Sequence, residues 1–255
     1  MNLTFQTFLS TSYKNNSQKI RVMSEKWTLE NWFCPNCGSK LSELENNKKV
    51  SDFLCENCLE NFEQKASKHK FKWKVISSEY YTLIKRLEDK SKPHFFFLHY
   101  IDIKYSVEDF FVVPKYFFVA DIIEKRKPLS KNAKRAGWTG SNILFDRIPN
   151  SWKIYYVENW KEISKEKVLE KWQKTAFLKE IKKDNLKGWI LDIMNIIESL
   201  NKKEFNLKEI YVFEKDLKIL HPENKNIKAK IRQQLQFLRD KWYLEFLERW
   251  KYKVL

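Results

Sequence analysis

Four cysteines in two closely spaced pairs are the feature that most constrains how this 255-residue chain can fold. Cys34 and Cys37 form one C-x2-C pair, and Cys55 and Cys58 form the other. Each pair supplies two thiolates from one tight turn, so the four together suit a single tetrahedral zinc ion. One pair alone would also fit a redox motif, but two pairs at this separation favour zinc. With all four positions filled by cysteine, we expect a structural Zn2+ site and not a catalytic one.

Charged residues with the spacing of a nuclease site surround the second cysteine pair. Asp52 precedes the pair, and Glu63 and Lys65 follow it as Glu-x-Lys. Residues two apart on a strand share a face, so Glu63 and Lys65 are expected to point the same way. Asp52, Glu63 and the backbone carbonyl of Gln64 would hold Mg2+, and Lys65 would orient an attacking water. Three solvated surface charges are the alternative, because 32% of the chain is charged.

The net charge indicates a polyanionic partner. Lysine and arginine number 49 against 33 acidic residues, which gives a net charge of +16 and a pI near 9.5. Nucleic acid is the first candidate and an anionic membrane the second, while a lysine-rich composition without functional meaning is the alternative. No signal peptide and no apolar run of about 20 residues is recognisable. Because every cysteine belongs to the paired motif and none is left for a disulfide, we expect a cytoplasmic protein. Without a membrane-spanning run, we expect no membrane partner.

Hydrophobic periodicity predicts an α/β (α+β) domain over residues 1–183 and a second, smaller domain over residues 184–255. In the first domain, helices are predicted over residues 11–32, 79–89 and 166–181. Strands are predicted over residues 50–55, 61–67, 95–100, 110–113 and 152–157. Ser10, Thr11 or Ser12 is the expected cap of the first helix. Residues 41–50 are expected to form a loop, and residues 182–187 the linker between the domains.

The second domain is predicted as three helices followed by a hairpin, which is the order of a winged helix. The helices are expected over residues 189–200, 206–220 and 227–240, with two short strands over 242–255. Asn206 and Glu209 fit a capping box at the start of the second helix. The third helix carries side chains that suit phosphates and base edges, namely Lys228, Arg232, Gln233 and Gln234. A solvated helix face is the alternative.

A basic segment lies in the first domain. Residues 125–145 contain six cations and no acidic residue, and Gly137 and Gly140 flank Trp138 and Thr139. We expect the segment to contact the DNA backbone, with the strongest candidates Arg126, Lys134 and Arg135. Trp138 would reach a base edge or a methyl group in the major groove, and its alternative role is to anchor the loop on the core.

The chain resembles the DpnI-type methyl-directed restriction endonucleases along essentially its whole length. The stretches that carry the resemblance are Ser17-Gln18-Lys19, Cys34-Pro35-Asn36-Cys37-Gly38, Asp52-Phe53, Phe95-Phe96-Phe97-Leu98, Arg126-Lys127-Pro128-Leu129, Arg135-Ala136-Gly137-Trp138 and Lys230-Ile231-Arg232-Gln233-Gln234-Leu235-Gln236. Ser51 stands where that family's pattern has a proline, and residues 152–183 differ more widely.

The resemblance implies a PD-(D/E)xK nuclease domain with a mixed central sheet and an embedded zinc site, followed by a winged helix. It implies a type II enzyme that cleaves double-stranded DNA at G-A-T-C only where the adenine is N6-methylated. By position, Asp52, Glu63 and Lys65 would be catalytic, the four cysteines would bind zinc, and Trp138 would take part in methyladenine recognition.

The resulting interpretation is a methyl-dependent restriction endonuclease that acts as a monomer with catalytic Mg2+ and structural Zn2+. A non-catalytic DNA-binding regulator with a zinc module is one alternative, and the absence of metal-dependent nicking would distinguish it. A structure-specific repair nuclease is the other, and it would cut branched DNA regardless of methylation. The four histidines show no metal-ligand spacing and are interpreted as structural or surface residues.

Overall fold

The computed structural model describes residues 2–44, 51–89, 92–181 and 184–255. The chain divides into two compact units. Unit 1 comprises Met1–Asp146 and Ser151–Ala176, and unit 2 comprises Arg147–Asn150 and Phe177–Leu255. The domain boundary expected at residue 183 stays a prediction, and the predicted linker lies partly outside the described residues. No helix in the described stretches has the length and apolar character needed to cross a membrane.

Unit 1 has the mixed α+β architecture that the sequence predicts. Its strands are β1 (Ser42–Glu43), β2 (Phe53–Leu54), β3 (Asn61–Ser67), β4 (Lys74–Glu79), β5 (His94–Ile101), β6 (Ser106–Val113), β7 (Ile123–Lys125), β8 (Gly140–Leu144), β9 (Ile154–Glu158) and β10 (Lys161–Glu162). Its helices are α1 (Asn16–Asn31), α2 (Tyr80–Glu88) and α3 (Lys165–Lys174). A seven-stranded sheet has the order β1-β2-β3-β5-β6-β9-β10, and a smaller sheet has the order β4-β8-β7.

In the larger sheet, β3 and β5 run parallel and the other neighbouring strands run antiparallel. Two parallel strands need a crossover connection, which β4 and α2 provide here.

Aromatic side chains from three adjacent strands form the centre of the core. Phe62 of β3, Phe96 of β5 and Phe110 of β6 are fully buried. Ring centroids lie 4.8 Å apart between Phe62 and Phe96, and 5.1 Å apart between Phe96 and Phe110. A strand buried on both faces carries a continuous apolar run, which is the pattern that predicts β5 and β6. Their predicted pairing is confirmed, with Phe97 opposite Phe111.

Helix α1 packs on this core through Met23 and Trp27. Asn15 caps the helix, because its side chain accepts a hydrogen bond of 2.8 Å from the backbone N–H two residues further on. The cap predicted at residues 10–12 is therefore wrong. Thr7–Ser10 form a separate 3-10 turn instead. Several polar residues near this helix offer the same capping chemistry, and tertiary packing decides which one is used.

Other predicted boundaries also change. The strand predicted over residues 50–55 is reduced to Phe53–Leu54, so Asp52 lies just before it. The loop predicted over residues 41–50 contains β1, and residues 45–50 lie outside the described stretches. The helix predicted over residues 166–181 ends at Lys174 and is followed by a 3-10 turn.

The smaller sheet was not predicted. Its strands are short and largely polar, so they show no clear apolar alternation. β7 and β8 pair antiparallel from Ile123 opposite Ile143 to Lys125 opposite Ser141. Residues 126–139 of the basic segment are therefore the loop of a hairpin whose second strand is β8.

Unit 2 has the element order of a winged helix. It contains α4 (Asp184–Ser199), β11 (Glu204–Asn206), α5 (Leu207–Tyr211), α6 (Glu214–Leu220), α7 (Ile227–Asp240), β12 (Leu244–Glu248) and β13 (Lys251–Val254). The three strands form a sheet of order β11-β13-β12. The predicted capping box is confirmed, with the Asn206 N–H donating to Glu209 Oε2 at 2.8 Å. The single helix predicted over residues 206–220 is divided into α5 and α6, and β11 was missed.

A buried charge cluster explains why residues 147–150 belong to unit 2. Arg147 Nη2 lies 2.8 Å from both carboxylate oxygens of Asp192 on α4. His221 Nε2 lies 2.7 Å from Asp192 Oδ2, and its ring stacks on Trp189 with centroids 3.9 Å apart. The buried carboxylate therefore has partners of the kind that a buried charge requires.

We expect Phe96→Ala to lower the free energy of unfolding by about 3–5 kcal/mol, because loss of the ring leaves a cavity where three strands meet. Ile103→Ala is the control, since Ile103 is 91% exposed, and its effect should stay within about 0.5 kcal/mol. Denaturant unfolding followed by circular dichroism measures both. A loss below about 1 kcal/mol for Phe96→Ala would contradict this packing.

Candidate functional site

Backbone pairing brings Asp52 against strand β3. The Asp52 N–H donates to the carbonyl of Phe62 at 2.8 Å. Asp52 Oδ2 accepts a hydrogen bond from the backbone N–H of Gln64 at 2.7 Å. The carboxylate is thereby held beside the segment that carries Glu63 and Lys65.

Glu63 and Lys65 lie on the same side of β3 and form an ion pair. Lys65 Nζ lies 2.5 Å from Glu63 Oε1. Arg86 of α2 donates to the other oxygen, Glu63 Oε2, at 2.9 Å. The Glu63 carboxylate is therefore held by two cations from different elements. Arg86 has no short-range sequence relation to Glu63, so sequence reasoning missed it.

Gln64 points its side chain in the opposite direction. Its Oε1 accepts a hydrogen bond of 2.7 Å from the hydroxyl of Thr28 on α1. This orientation follows from the alternation of side chains along a strand. The side-chain amide is thus used to attach β3 to α1, and only backbone atoms of Gln64 face Asp52.

Arg21 and Glu25 of α1 also reach the site, and sequence reasoning missed both. Arg21 Nη2 lies 3.3 Å from Asp52 Oδ1, and Arg21 Nε lies 2.7 Å from Glu25 Oε1. Burial raises the pKa of Glu25 to about 7, against the opposing effect of Arg21, and the charge of Asp52 adds to the rise. In the sequence, Arg21 and Glu25 look like an ordinary i,i+4 ion pair on a helix surface.

The carboxylates are arranged to attract a cation. Burial raises the pKa of Asp52 above its ordinary value; the hydrogen bond from Gln64 opposes this effect, and the negative charge of Glu63 adds to it. Asp52 and Glu63 offer oxygen donors of the kind that Mg2+ binds. Protein cations balance these charges in the structure, and the donor set fits a hard divalent ion.

An open cleft of about 1040 Å3 adjoins these residues and shares Arg21, Gln64 and Lys65 with them. Its lining is predominantly basic. The cations are Lys19, Arg21, Lys65, Lys68, Lys70 and Lys74, and the acids are Glu25 and Asp102. Such a surface suits a phosphate backbone. The signal for it in the sequence is the alternation of lysine with His, Phe and Trp over residues 68–74, which was overlooked.

The four cysteines converge on one point. Their sulfur atoms all lie within 4.8 Å of one another. Cys34 and Cys58 Sγ are 3.5 Å apart, and Cys37 and Cys55 Sγ are 3.4 Å apart. Both distances exceed a disulfide bond of about 2.05 Å, and they approach the spacing of about 3.8 Å expected for thiolates around zinc. The cluster therefore has the composition and geometry of a zinc site.

Both cysteine turns have the same backbone pattern. The N–H of the residue four positions after the first cysteine donates to that cysteine's carbonyl at 2.8 Å, from Gly38 to Cys34 and from Leu59 to Cys55. Both donor residues have a left-handed backbone conformation, with φ of 75° at Gly38 and 60° at Leu59. The second turn lies in the connection from β2 to β3, between Asp52 and Glu63.

Trp138 folds back onto its own loop. A Cβ added at Gly140 would lie 2.8 and 2.9 Å from atoms of the Trp138 ring, so the ring occupies the space above that glycine. The Arg135 guanidinium lies over the Trp138 ring, 4.8 Å from the ring centroid. Arg126 and Lys134 are exposed on the same hairpin. Trp138 is half-buried, so it packs locally and still keeps an accessible surface.

Helix α7 exposes only some of the predicted DNA-binding residues. Lys228, Arg232 and Gln233 are exposed, and Arg232 Nη1 donates to the hydroxyl of Tyr211 at 2.7 Å. Gln234 is fully buried, because it falls on the apolar side of the helix beside residues such as Leu235. The prediction that Gln234 faces DNA is therefore wrong.

Comparison with known families assigns both parts of the chain. Residues 1–181 match the family model DpnI, described as the Dam-replacing family. Residues 185–254 match the model described as the Dam-replacing HTH domain. The matches confirm the resemblance and imply a restriction nuclease with a DNA-binding helix-turn-helix domain. The chain therefore belongs to the DpnI, or Dam-replacing, family.

Proposed function

We propose that the protein is a type II endonuclease that hydrolyses double-stranded DNA at G-A-T-C when the adenine is N6-methylated. Residues 1–183 would form the nuclease domain and residues 184–255 the winged-helix domain of a monomeric, cytoplasmic enzyme. The observation that carries the proposal is the convergence of Asp52, Glu63 and Lys65 beside a basic cleft. Family membership supports it.

The positions of the side chains support the proposed catalytic roles. Asp52, Glu63 and the Gln64 carbonyl would hold Mg2+, which supplies Lewis-acid activation of the scissile phosphate and of an attacking water. Lys65 would orient that water and offset the charge that develops on the phosphate. Arg86 keeps the Glu63 carboxylate in place through its hydrogen bond.

Arg21 has a different role in the proposal. Its guanidinium contacts Asp52 at 3.3 Å and is 61% exposed at the side chain, so it can turn from the carboxylate toward a phosphate. Arginine binds phosphate through several N–H donors, and the cleft lysines extend the same positive surface.

Methyl recognition is assigned to the hairpin between β7 and β8. Trp138 presents an apolar ring on a loop whose neighbours Arg126, Lys134 and Arg135 are exposed cations. The cations would fix the loop on the phosphate backbone, and the ring would contact methyl groups in the major groove. In unit 2, Lys228, Arg232 and Gln233 are the proposed DNA contacts of α7.

Zinc is proposed as a structural ion bound by Cys34, Cys37, Cys55 and Cys58. The second cysteine pair closes the connection between β2 and β3, so zinc would stabilise the spacing between Asp52 and Glu63 without contacting DNA. A reducing compartment keeps unpaired cysteines as thiols, so a thiolate zinc site suits a cytoplasmic location.

Digestion of one plasmid in N6-methylated and unmethylated form, with Mg2+, tests the proposed function. We expect cleavage of the methylated form alone. Equal cleavage of both forms would favour the repair-nuclease alternative, and sequence-specific binding without nicking would favour the DNA-binding regulator. Either result contradicts the proposal.

Lys65→Ala should reduce cleavage of methylated plasmid by at least about 100-fold, because the water loses its orienting ammonium. Binding of the same DNA should persist in a gel-retardation assay. Lys68→Ala is the matched control, since Lys68 lines the same cleft but pairs only weakly with exposed Asp102 at 3.4 Å. Equal losses in the two variants would remove Lys65 from the chemistry.

Gly140→Ala should displace the Trp138 ring, because the new methyl group would overlap it. We expect this variant and Trp138→Ala to lose about tenfold in preference for methylated over unmethylated DNA. Ala136→Ser, at an exposed position of the same loop, should keep the preference. Binding measured on both duplexes gives the ratio, and an unchanged ratio in Trp138→Ala would exclude the ring from methyl recognition.

Cys55→Ser should remove the bound zinc and lower the free energy of unfolding by at least about 2 kcal/mol, with cleavage lost in parallel. Glu56→Gln is the control, because Glu56 is exposed within the same turn and supplies no thiolate. Metal analysis and denaturant unfolding measure the two effects. A stable Cys55→Ser protein that cleaves normally would show that the two sites are independent.

A further inference from the structure

A second set of metal-ligand side chains converges in unit 1, apart from the cysteines and the candidate active site. The ligand atoms of His99, Glu108 and Asp109 lie within 4.8 Å of one another. His99 Nδ1 is 3.3 Å from Glu108 Oε2 and 3.7 Å from Asp109 Oδ2. Atoms that bind one metal ion at about 2.1 Å are spaced by about 3.0–3.4 Å, so small side-chain adjustments bring all three onto one ion.

A β-bulge makes this convergence possible. His99 on β5 pairs with Asp109 on β6, but Tyr100 pairs with Val107, so Glu108 is an extra residue in β6. Side chains of successive residues normally point to opposite faces, and a bulge re-aims one of them. Two consecutive carboxylates can therefore face the same histidine.

The backbone around the bulge is held by the tight turn between β9 and β10. The Asn159 N–H donates to Asp109 Oδ1 at 2.9 Å, and the Trp160 N–H donates to the Glu108 carbonyl at 2.9 Å. The first bond occupies one oxygen of Asp109 and leaves Oδ2 directed at His99. The three ligands are thus positioned before any ion binds.

The buried ring nitrogen Nδ1 of His99 faces the two carboxylates. His99 is 4% exposed, and its buried Nδ1 has no partner of acceptable hydrogen-bond geometry among the described residues. Buried polar atoms are nearly always satisfied by protein, water or an ion. An unsatisfied ring nitrogen directed at two carboxylates has the character of a metal ligand.

The exposed Lys70 side chain balances the charge of the carboxylates. Lys70 Nζ contacts Glu108 Oε1 and lies 3.7 Å from Asp109 Oδ2, while its side chain is 44% exposed. Lys70 also lines the large basic cleft, so its ammonium has space to leave. A cavity of about 200 Å3 opens beside His99 and Asp109 and provides room for water ligands.

We propose that His99, Glu108 and Asp109 bind a divalent transition-metal ion, which replaces the Lys70 ammonium. One imidazole and two carboxylates suit Mn2+, Fe2+ or Zn2+, whereas Mg2+ prefers oxygen ligands alone. The ion would fix the bulge and release Lys70 into the cleft.

Mn2+ titration of the full-length protein tests the proposal, with free Mn2+ counted by electron paramagnetic resonance. The parent is Asp52→Asn/Glu63→Gln, which weakens binding at the candidate active site. We expect one bound Mn2+ in the parent and none after His99→Gln or Glu108→Gln. Lys70→Met should bind Mn2+ about tenfold more tightly, because the competing positive charge is removed.

Absence of Mn2+ binding in a folded Lys70→Met protein would overturn the proposal and leave an ion-pair cluster. Unchanged binding after His99→Gln would overturn it as well. Thermal unfolding supplies a second measurement, since an ion that binds only the folded state raises the melting temperature. The rise should occur in the parent and vanish in the His99→Gln form. These readouts count bound ions and do not depend on DNA cleavage.

Discussion

Hydrogen bonding between Asp52 and strand β3 is the constraint on which the candidate active site depends. Bonds of 2.8 Å to the Phe62 carbonyl and 2.7 Å from the Gln64 N–H set the carboxylate against the strand that carries Glu63. Strand β3 is itself held by its parallel pairing with β5 and by buried aromatic rings. A site supported by paired strands is more precisely positioned than one on a free loop.

Cationic side chains of unit 1 lie close to Asp52 and to strand β3. The partly buried carboxylates of Asp52 and Glu63 are matched by cations from separate helices, Arg21 from α1 and Arg86 from α2. A predominantly basic cleft begins at the same point. The net charge of +16 is thus concentrated partly where phosphates would bind, and it is not only a property of composition. The same pairing of carboxylates with a cation occurs at the β6 bulge, where Lys70 lies beside Glu108 and Asp109.

Features that depend on short spacing could be predicted from the sequence. The cysteine pairs predict the four-sulfur cluster, the Glu-x-Lys spacing places Glu63 and Lys65 on one face, and continuous apolar runs predict β5 and β6. The capping box at Asn206 and the winged-helix order also follow from local patterns. Each of these relations is set by backbone geometry over a few residues.

The sequence by itself thus determined the family, the mixed fold, the cysteine cluster and the pairing of Glu63 with Lys65. Only the tertiary structure decided which side chains from distant parts of the chain reach the candidate site. Arg21 and Glu25 reach the site because α1 packs on β3, and Arg86 reaches it from α2, which packs on β4 and β8. Gln234 is buried because its side of α7 faces the core. Such contacts join residues far apart in the chain, so no local pattern records them.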